Sequence, residues 1–201
     1  MGFFKNFGKP EGFLGKIMLN GMNHDKPPFY RWGFSHYEWR NDTVVLDIGC
    51  GGGMNVKKML GFAPGIKACG IDISDQAVMK SMIMNRSLIG RRCLIRKGDA
   101  SSIPFKDGVF DVVTAFETIY FWNDVPAALG EILRVLKPGG TFLVCCKKCD
   151  PDATRRKRRS GKTIYTSADL AGLFEEAGFE KTTVDISHKS WCCITGLRPE
   201  G

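Results

Sequence analysis

Apolar residues along this chain follow two alternating rhythms. Short, almost unbroken apolar runs occur at 43–49 (TVVLDIG), 67–73 (KACGIDI), 92–98, 109–116 and 141–147 (TFLVCCK). Runs of that length with few polar breaks are what a strand covered on both faces requires. Between them the spacing shifts to the helical period. Residues 53–61 read as one helix and 75–89 as another, with Ala77, Val78, Ser81, Met82 and Leu88 near one face and Ser74-Asp75 at its start. Val125, Leu129, Ile132, Leu133 and Leu136 mark the clearest helix, which Lys137-Pro138-Gly139-Gly140 is expected to stop. Another helix starts at Thr166-Ser167-Ala168-Asp169 and ends near Gly178. Only Ser187-His188-Lys189-Ser190 separates two final strands, at 181–187 and 191–197, so these should form an antiparallel hairpin at one edge. Strand–helix alternation of this kind predicts an α/β sandwich, with helices on both faces of a mainly parallel sheet.

The 201 residues suit one domain with a short appendage, and a chain of that size buries about 70% of its unfolded surface without a metal or disulfide staple. Residues 1–40, rich in Phe, Trp, Tyr, Lys and Gly, read as an appendage over a domain at 41–201. No apolar stretch is long enough to span a membrane, and the first 25 residues lack the apolar core and cleavage site of a signal peptide. A cytoplasmic chain is therefore expected, as monomer or homodimer. Its net charge of +8 favours anionic partners in general terms only. The 8 cysteines fall mostly within predicted strands or at their ends, where a reduced thiol acts as a small hydrophobe. Cys146-x-x-Cys149 with Cys192-Cys193 suggests a thiolate metal site, but adjacent strand residues point to opposite faces. No metal is expected.

The strongest local signal is Asp47-Ile48-Gly49-Cys50-Gly51-Gly52-Gly53, between the first strand and the first helix. In an open α/β sheet, ligands bind beyond the carboxyl ends of the strands, and glycine lets backbone approach them closely. A dinucleotide loop would read G-x-G-x-x-G or A. Here Met54 takes the third position, Gly53 falls one residue early, and Asp47 puts a carboxylate where a pyrophosphate would lie. A cationic ligand group suits that carboxylate, and a nicotinamide dehydrogenase is a poor reading. Asp72 ends the second strand, 19 residues after Gly53, where a carboxylate can accept from both ribose hydroxyls. Asp99-Ala100 ends the third, and could face the amine and a ring nitrogen of adenine. Three carboxylates at neighbouring strand ends, beside a glycine loop, point to a nucleoside.

These residues resemble the class I S-adenosylmethionine (SAM)-dependent methyltransferases. The likeness rests on Asp47-x-Gly49-x-Gly51-x-Gly53, Asp72, Asp99 with Ser102-Ile103-Pro104-Phe105, Phe110-Asp111-Val112-Val113, and Glu131 through Gly140. It implies a seven-stranded, Rossmann-like sheet with its last strand antiparallel, and SAM as cofactor with S-adenosylhomocysteine (SAH) as product. It places the glycine loop at the methionine part, Asp47 near the methionine amino group, Asp72 at the ribose and Asp99 at the adenine. The cofactor-binding set is then Asp47, Gly49, Cys50, Gly51, Gly53, Asn55, Asp72, Ile73, Asp99, Ala100, Phe116 and Glu117. N-terminal extensions in this family often fold over the site as a lid, which would bring Tyr30, Trp32 and His36 to the pocket.

Methyl transfer from a sulfonium needs alignment more than acid–base machinery, and a base only where the acceptor must lose a proton. Glu117, His36 and Tyr30 are the candidates, and none is marked out by its local sequence. Arg155-Arg156-Lys157-Arg158-Arg159 reads either as a solvated loop or as an anion-binding block. After the fourth strand the chain reads Phe-Glu-Thr-Ile, without the motif of base-amine methylation, and the Pro-Cys pair of cytosine-carbon methylation is absent. The expected activity is therefore methyl transfer to a small molecule. An RNA methyltransferase using 155–159, and a SAM-binding protein without turnover, are the alternatives.

Overall fold

The alternation builds three layers. The computed structural model describes residues 27–147, 157–159 and 162–201. Strands β1 (Val44–Ile48), β2 (Lys67–Asp72), β3 (Cys93–Lys97), β4 (Phe110–Phe116) and β5 (Leu136–Cys146) come first in the chain. A short ribbon follows, β6 (Lys157–Arg159) with β7 (Lys162–Ile164), and then β8 (Glu180–Ile186) and β9 (Cys192–Leu197). Seven strands form one sheet in the order β3-β2-β1-β4-β5-β9-β8. β1 to β5 are parallel to one another, and β9 runs antiparallel between β5 and β8. The link from β8 to β9 is too short for a crossover, so only the hairpin is open to it.

Helices α1 (Pro27–Phe34), α2 (Met54–Leu60) and α3 (Asp75–Met84) lie on one face of the sheet, and α4 (Val125–Val135) and α5 (Ser167–Ala177) on the other. Alternate strand residues feed two cores. Val45, Val112, Leu143 and Cys145 pack with Phe29, Phe34, Val56 and Met59. Leu46, Val113, Phe142 and Val144 pack with Leu129, Ile132, Leu170 and Phe174 on the other face. Helix starts follow their caps: the Ser74 hydroxyl accepts from Ala77 N, Asp124 from Ala127 N, and Thr166 forms a reciprocal capping box with Asp169.

Three elements differ from the sequence expectation. Lys137-Pro138-Gly139-Gly140 does not delay the strand to 141; β5 begins at Leu136, which pairs with Phe110, and the tetrapeptide bulges before pairing resumes at Thr141–Val112. Gly139, at φ 70°, donates to the Arg198 carbonyl, and Arg198 N returns a bond to Gly140, which holds the bulge. Helix α3 stops at Met84 rather than 89, because the buried Asn85 amide turns to the Gly53 and Ser81 carbonyls, at 3.1 and 2.9 Å. Of the basic run expected as a loop, residues 157–159 form β6, and the partner strand β7 lies against a helical turn at Ile119–Phe121.

Of the appendage expected at 1–40, residues 1–26 lie outside the described residues. Its visible part, α1, sits tightly on the sheet: a Cβ on Gly33 would lie 2.5 Å from the Phe116 ring and 2.7 Å from Cys145 Sγ. Gly33→Ala should therefore cost about 1–3 kcal/mol by overpacking, read as a lowered midpoint in thermal or denaturant melts.

Candidate functional site

The strand order reverses between β1 and β4, the place where the carboxyl ends of strands in an open α/β sheet form a ligand crevice. The glycine loop crosses it with Gly49, Gly51 and Gly53 at φ 69°, 53° and 79°. Each is in the left-handed region that a side chain disfavours, but the three meet different surroundings. A Cβ on Gly49 would strike Thr118, and one on Gly53 would come within 2.8 Å of the Ser81 backbone. A Cβ on Gly51 would meet nothing within 4 Å. Gly51 therefore faces the open crevice, while its neighbours are glycine for packing.

The loop is tied to the carboxylates around it. Gly49 N and Cys50 N donate to the Ile71 carbonyl, at 2.8 and 3.0 Å. Asp72 accepts from Gly51 N through Oδ2 (3.0 Å) and from Ser74 N through Oδ1 (2.9 Å). Burial pushes the Asp72 carboxyl up, and the N–H groups of Ser74, Gly51 and Ile73 pull it back. Beside it Ile73 is exposed, an apolar surface at the rim. Cys50 is buried with its Sγ 3.8 Å from Ser81 Oγ, and burial raises its thiol, so it packs the loop from beneath. Asn55 is half-buried in the first turn of α2.

Asp47 is the least ordinary group. It is 1% exposed; Oδ1 accepts from Thr114 Oγ1 at 2.8 Å, and the buried Oδ2 has no partner. Burial pushes its carboxyl up to about 7, the Thr114 bond opposes this, and the charge on Asp72 adds to it. An orphaned, buried carboxylate oxygen is costly unless something binds it.

Asp99 is exposed at the end of β3, where Oδ1 accepts from Ser101 N (2.9 Å) and Ser101 Oγ (2.7 Å). Ala100 is buried beside it. The segment that follows is fastened to α4: Glu131 Oε2 accepts from Ile103 N at 2.8 Å, and Arg134 donates to the Ile103 and Phe105 carbonyls. Asp111 has a structural role at the other end of the sheet, accepting from Val44 N (2.7 Å) and Lys137 Nζ (2.6 Å).

Glu117 follows β4 with φ 61°, a left-handed conformation rare for a side chain of that size. Its N–H donates to the Cys145 carbonyl at 2.9 Å, and its Oε1 accepts from Lys147 N and from Tyr120 OH. Tyr30, on α1, is close enough to feel both Glu117 and Asp47; burial first, then those two charges, push its hydroxyl up to about 12. Its ring lies 5.5 Å from the Phe116 ring, and Phe116 also touches Phe29 and Phe34. So α1 covers Asp47, Phe116 and Glu117 with an aromatic layer. His36 is placed elsewhere. Its Nε2 lies 2.8 Å from Asp185 Oδ2 on β8, with Cys193 as a further neighbour. Trp32 packs on His36 and Trp191, the same side of α1.

Sequence reasoning passed over Thr114, Thr118 and Lys147. Thr114 had a signal, a lone hydroxyl in the apolar run Val112-Val113-Thr114-Ala115, and it stands opposite Asp47 in the sheet register. Among the described residues, no group of three or more His, Cys, Asp or Glu is arranged to hold a metal ion; Cys149 lies outside them.

Residues 46–144 match a family described as "Methyltransferase domain". This is a class I SAM-dependent methyltransferase domain. The chain is 37% identical over 102 residues to a sterol 24-C-methyltransferase of Eremothecium gossypii, across 50% of this chain and 27% of that protein. It is 35% identical over 132 residues to a demethylmenaquinone methyltransferase of Lactiplantibacillus plantarum, across 59% of this chain and 54% of the relative. The chain thus spans about a quarter of the first relative's length and about half of the second's. A SAM-dependent methyltransferase from Aquifex aeolicus shares the fold, with a TM-score of 0.76 at 18% identity over 90% of this chain and 97% of that one. The family's cofactor is SAM, and the seven-stranded sheet with β9 reversed is the family's sheet.

Proposed function

We propose that this methyltransferase domain moves the methyl group of SAM to a small-molecule acceptor held beneath α1. The observation that carries the reading is the buried, unpartnered Oδ2 of Asp47 beside the open face of Gly51. A buried carboxylate oxygen left without a hydrogen bond, next to backbone bare of side chains, suits a cationic ligand end such as an α-ammonium. Asp72 would hold the ribose with the lone pairs its two backbone bonds leave free, and Asp99 with Ala100 the adenine, Ile73 lying against the ring.

When bound, SAM supplies a methyl on a positively charged sulfur, already activated for displacement. The chain's own contribution is to align and to exclude water. Phe116, Tyr30 and Phe29 put an aromatic layer over the strand ends, which keeps solvent from the reacting atoms. Glu117, fixed by Lys147 N and Tyr120 OH, is placed to take a proton from an acceptor or to steer a cationic one. Tyr30, its hydroxyl held near 12, stays a neutral phenol and serves as a hydrogen-bond donor rather than a base. His36, turned toward Asp185, is left for another role.

A closed aromatic cover favours a compact acceptor with an apolar body over a polymer. The matched relatives, a sterol and a demethylmenaquinone methyltransferase by name, act on acceptors of that kind. Calorimetric titration with SAM and SAH, then transfer of labelled methyl in a metabolite extract, tests the reading. Saturable binding and one labelled small molecule are expected. Labelled RNA would move the assignment to nucleic acid, and binding without transfer to any acceptor would leave a SAM-binding protein.

A further inference from the structure

β5 and β9 set four cysteines opposite one another, Cys145 with Cys193 and Cys146 with Cys192. Successive strand residues face opposite ways, so the first pair lies in the layer of α1 and α2, and the second in the layer of α4 and α5. Cys145 Sγ is 3.3 Å from Cys193 Sγ, a contact that directs a thiol hydrogen of one sulfur at the other. His36 stands beside Cys193. The Nδ1 of His36 faces the carbonyls of Trp32 (2.9 Å) and Gly33 (3.3 Å), and its Nε2 faces Asp185 Oδ2 (2.8 Å). Both ring nitrogens thus face oxygens that can only accept, so both carry protons and the ring is an imidazolium. A cation fixed at that spot favours the thiolate of Cys193.

We propose that Cys145 and Cys193 form an oxidisable dithiol, with Cys193 the reacting sulfur, His36 its counter-ion and hydrogen peroxide the oxidant. The Cys193 thiolate attacks one peroxide oxygen and the O–O bond breaks. The departing hydroxide takes a proton from His36 and leaves as water, with a sulfenic acid on Cys193. Cys145 then attacks that sulfur, the S–S bond forms, and a second water leaves with the Cys145 proton. Two electrons pass from the sulfurs to the peroxide, and two equivalents of a small thiol return them.

Cys50, Cys69 and Cys93 lack this setting. Burial raises their thiols, which holds them in the inert form. The Cys193 thiol moves the opposite way, held below the ordinary value by Cys145 and then by His36. Cys145 lies directly under Gly33 of α1, the helix that also carries Tyr30, so a cross-link to Cys193 would change the packing beneath the cover of the site. The inference is independent of the methyl acceptor.

The test uses the full chain with hydrogen peroxide, alkylation of residual thiols, and peptide mapping without reduction. Two of the 8 thiols should be lost first, recovered as a Cys145–Cys193 linked peptide that dithiothreitol releases. In Cys145→Ser, dimedone should label Cys193. In His36→Gln, thermal melting shows whether the fold is kept, and the oxidation rate should fall at least about tenfold as the thiolate is lost. A first cross-link elsewhere, dimedone on another cysteine in Cys145→Ser, or an unchanged rate in folded His36→Gln would each overturn the proposal.

Discussion

Asp72→Ala is expected to bind SAM about 10- to 100-fold more weakly than the natural chain, a loss of about 1–3 kcal/mol. Two effects add. The ribose loses the carboxylate that its two hydroxyls would reach, and the glycine loop loses its anchor, because Gly51 N and Ser74 N both donate to Asp72. Left without acceptors, those N–H groups must find water, and Gly51 is free to leave the conformation that opens it to the ligand. Stability should fall as well, by about 1–2 kcal/mol for the unpartnered donors. Asp72→Asn separates the two effects: its single carbonyl oxygen can keep one backbone bond, so the melting midpoint should recover more than the affinity. Calorimetry with SAM and SAH on both variants reads the result. An unchanged dissociation constant in Asp72→Ala would place the ribose away from the end of β2.

Much of this site was legible because its residues sit at the ends of short apolar runs. Asp47, Asp72 and Asp99 each lie at or within two residues of the carboxyl end of a strand, and parallel strands in one sheet put such ends on one rim. What stayed illegible depended on contacts distant in sequence. The Thr114–Asp47 bond joins residues 67 apart, and it exists because the β1–β4 register sets them side by side. His36 reads locally as a pocket residue of an aromatic segment, yet it bonds to Asp185, 149 residues away, through the late addition of β8 and β9 to the sheet. The two faces of Cys192-Cys193 followed from strand geometry, but the thiols they would meet required the antiparallel register with β5. Lys-Pro-Gly-Gly misled for a different reason: its turn chemistry was read correctly, but Arg198 from the chain terminus pairs with the bulge and keeps it within the strand.

SAM affinity is expected to fall about tenfold for each pH unit below 7, and Asp47→Asn should abolish that dependence. The Asp47 carboxyl is held near 7 by burial, against a hydrogen bond from Thr114 and with the charge of Asp72 adding to the rise. In the free protein below pH 7 it is mostly protonated, and an ammonium cannot pair with it until that proton leaves. Binding at pH 7 should therefore release about half a proton, visible as a dependence of the calorimetric heat on the ionisation enthalpy of the buffer. The effect on folding has the opposite sign. The folded state holds the proton more tightly than the unfolded chain, so stability is greatest below the ordinary carboxylate range. It declines by up to about 1.4 kcal/mol per unit as pH rises from there to 7. Asp47→Asn removes the buried charge, and at pH 8 it should melt higher than the natural protein while binding SAM more weakly. Those opposed shifts identify Asp47 as a group kept for its ligand at a cost to the fold. An affinity flat from pH 5 to 8, or an Asn variant that binds as tightly as the natural chain at pH 8, would place the ammonium elsewhere.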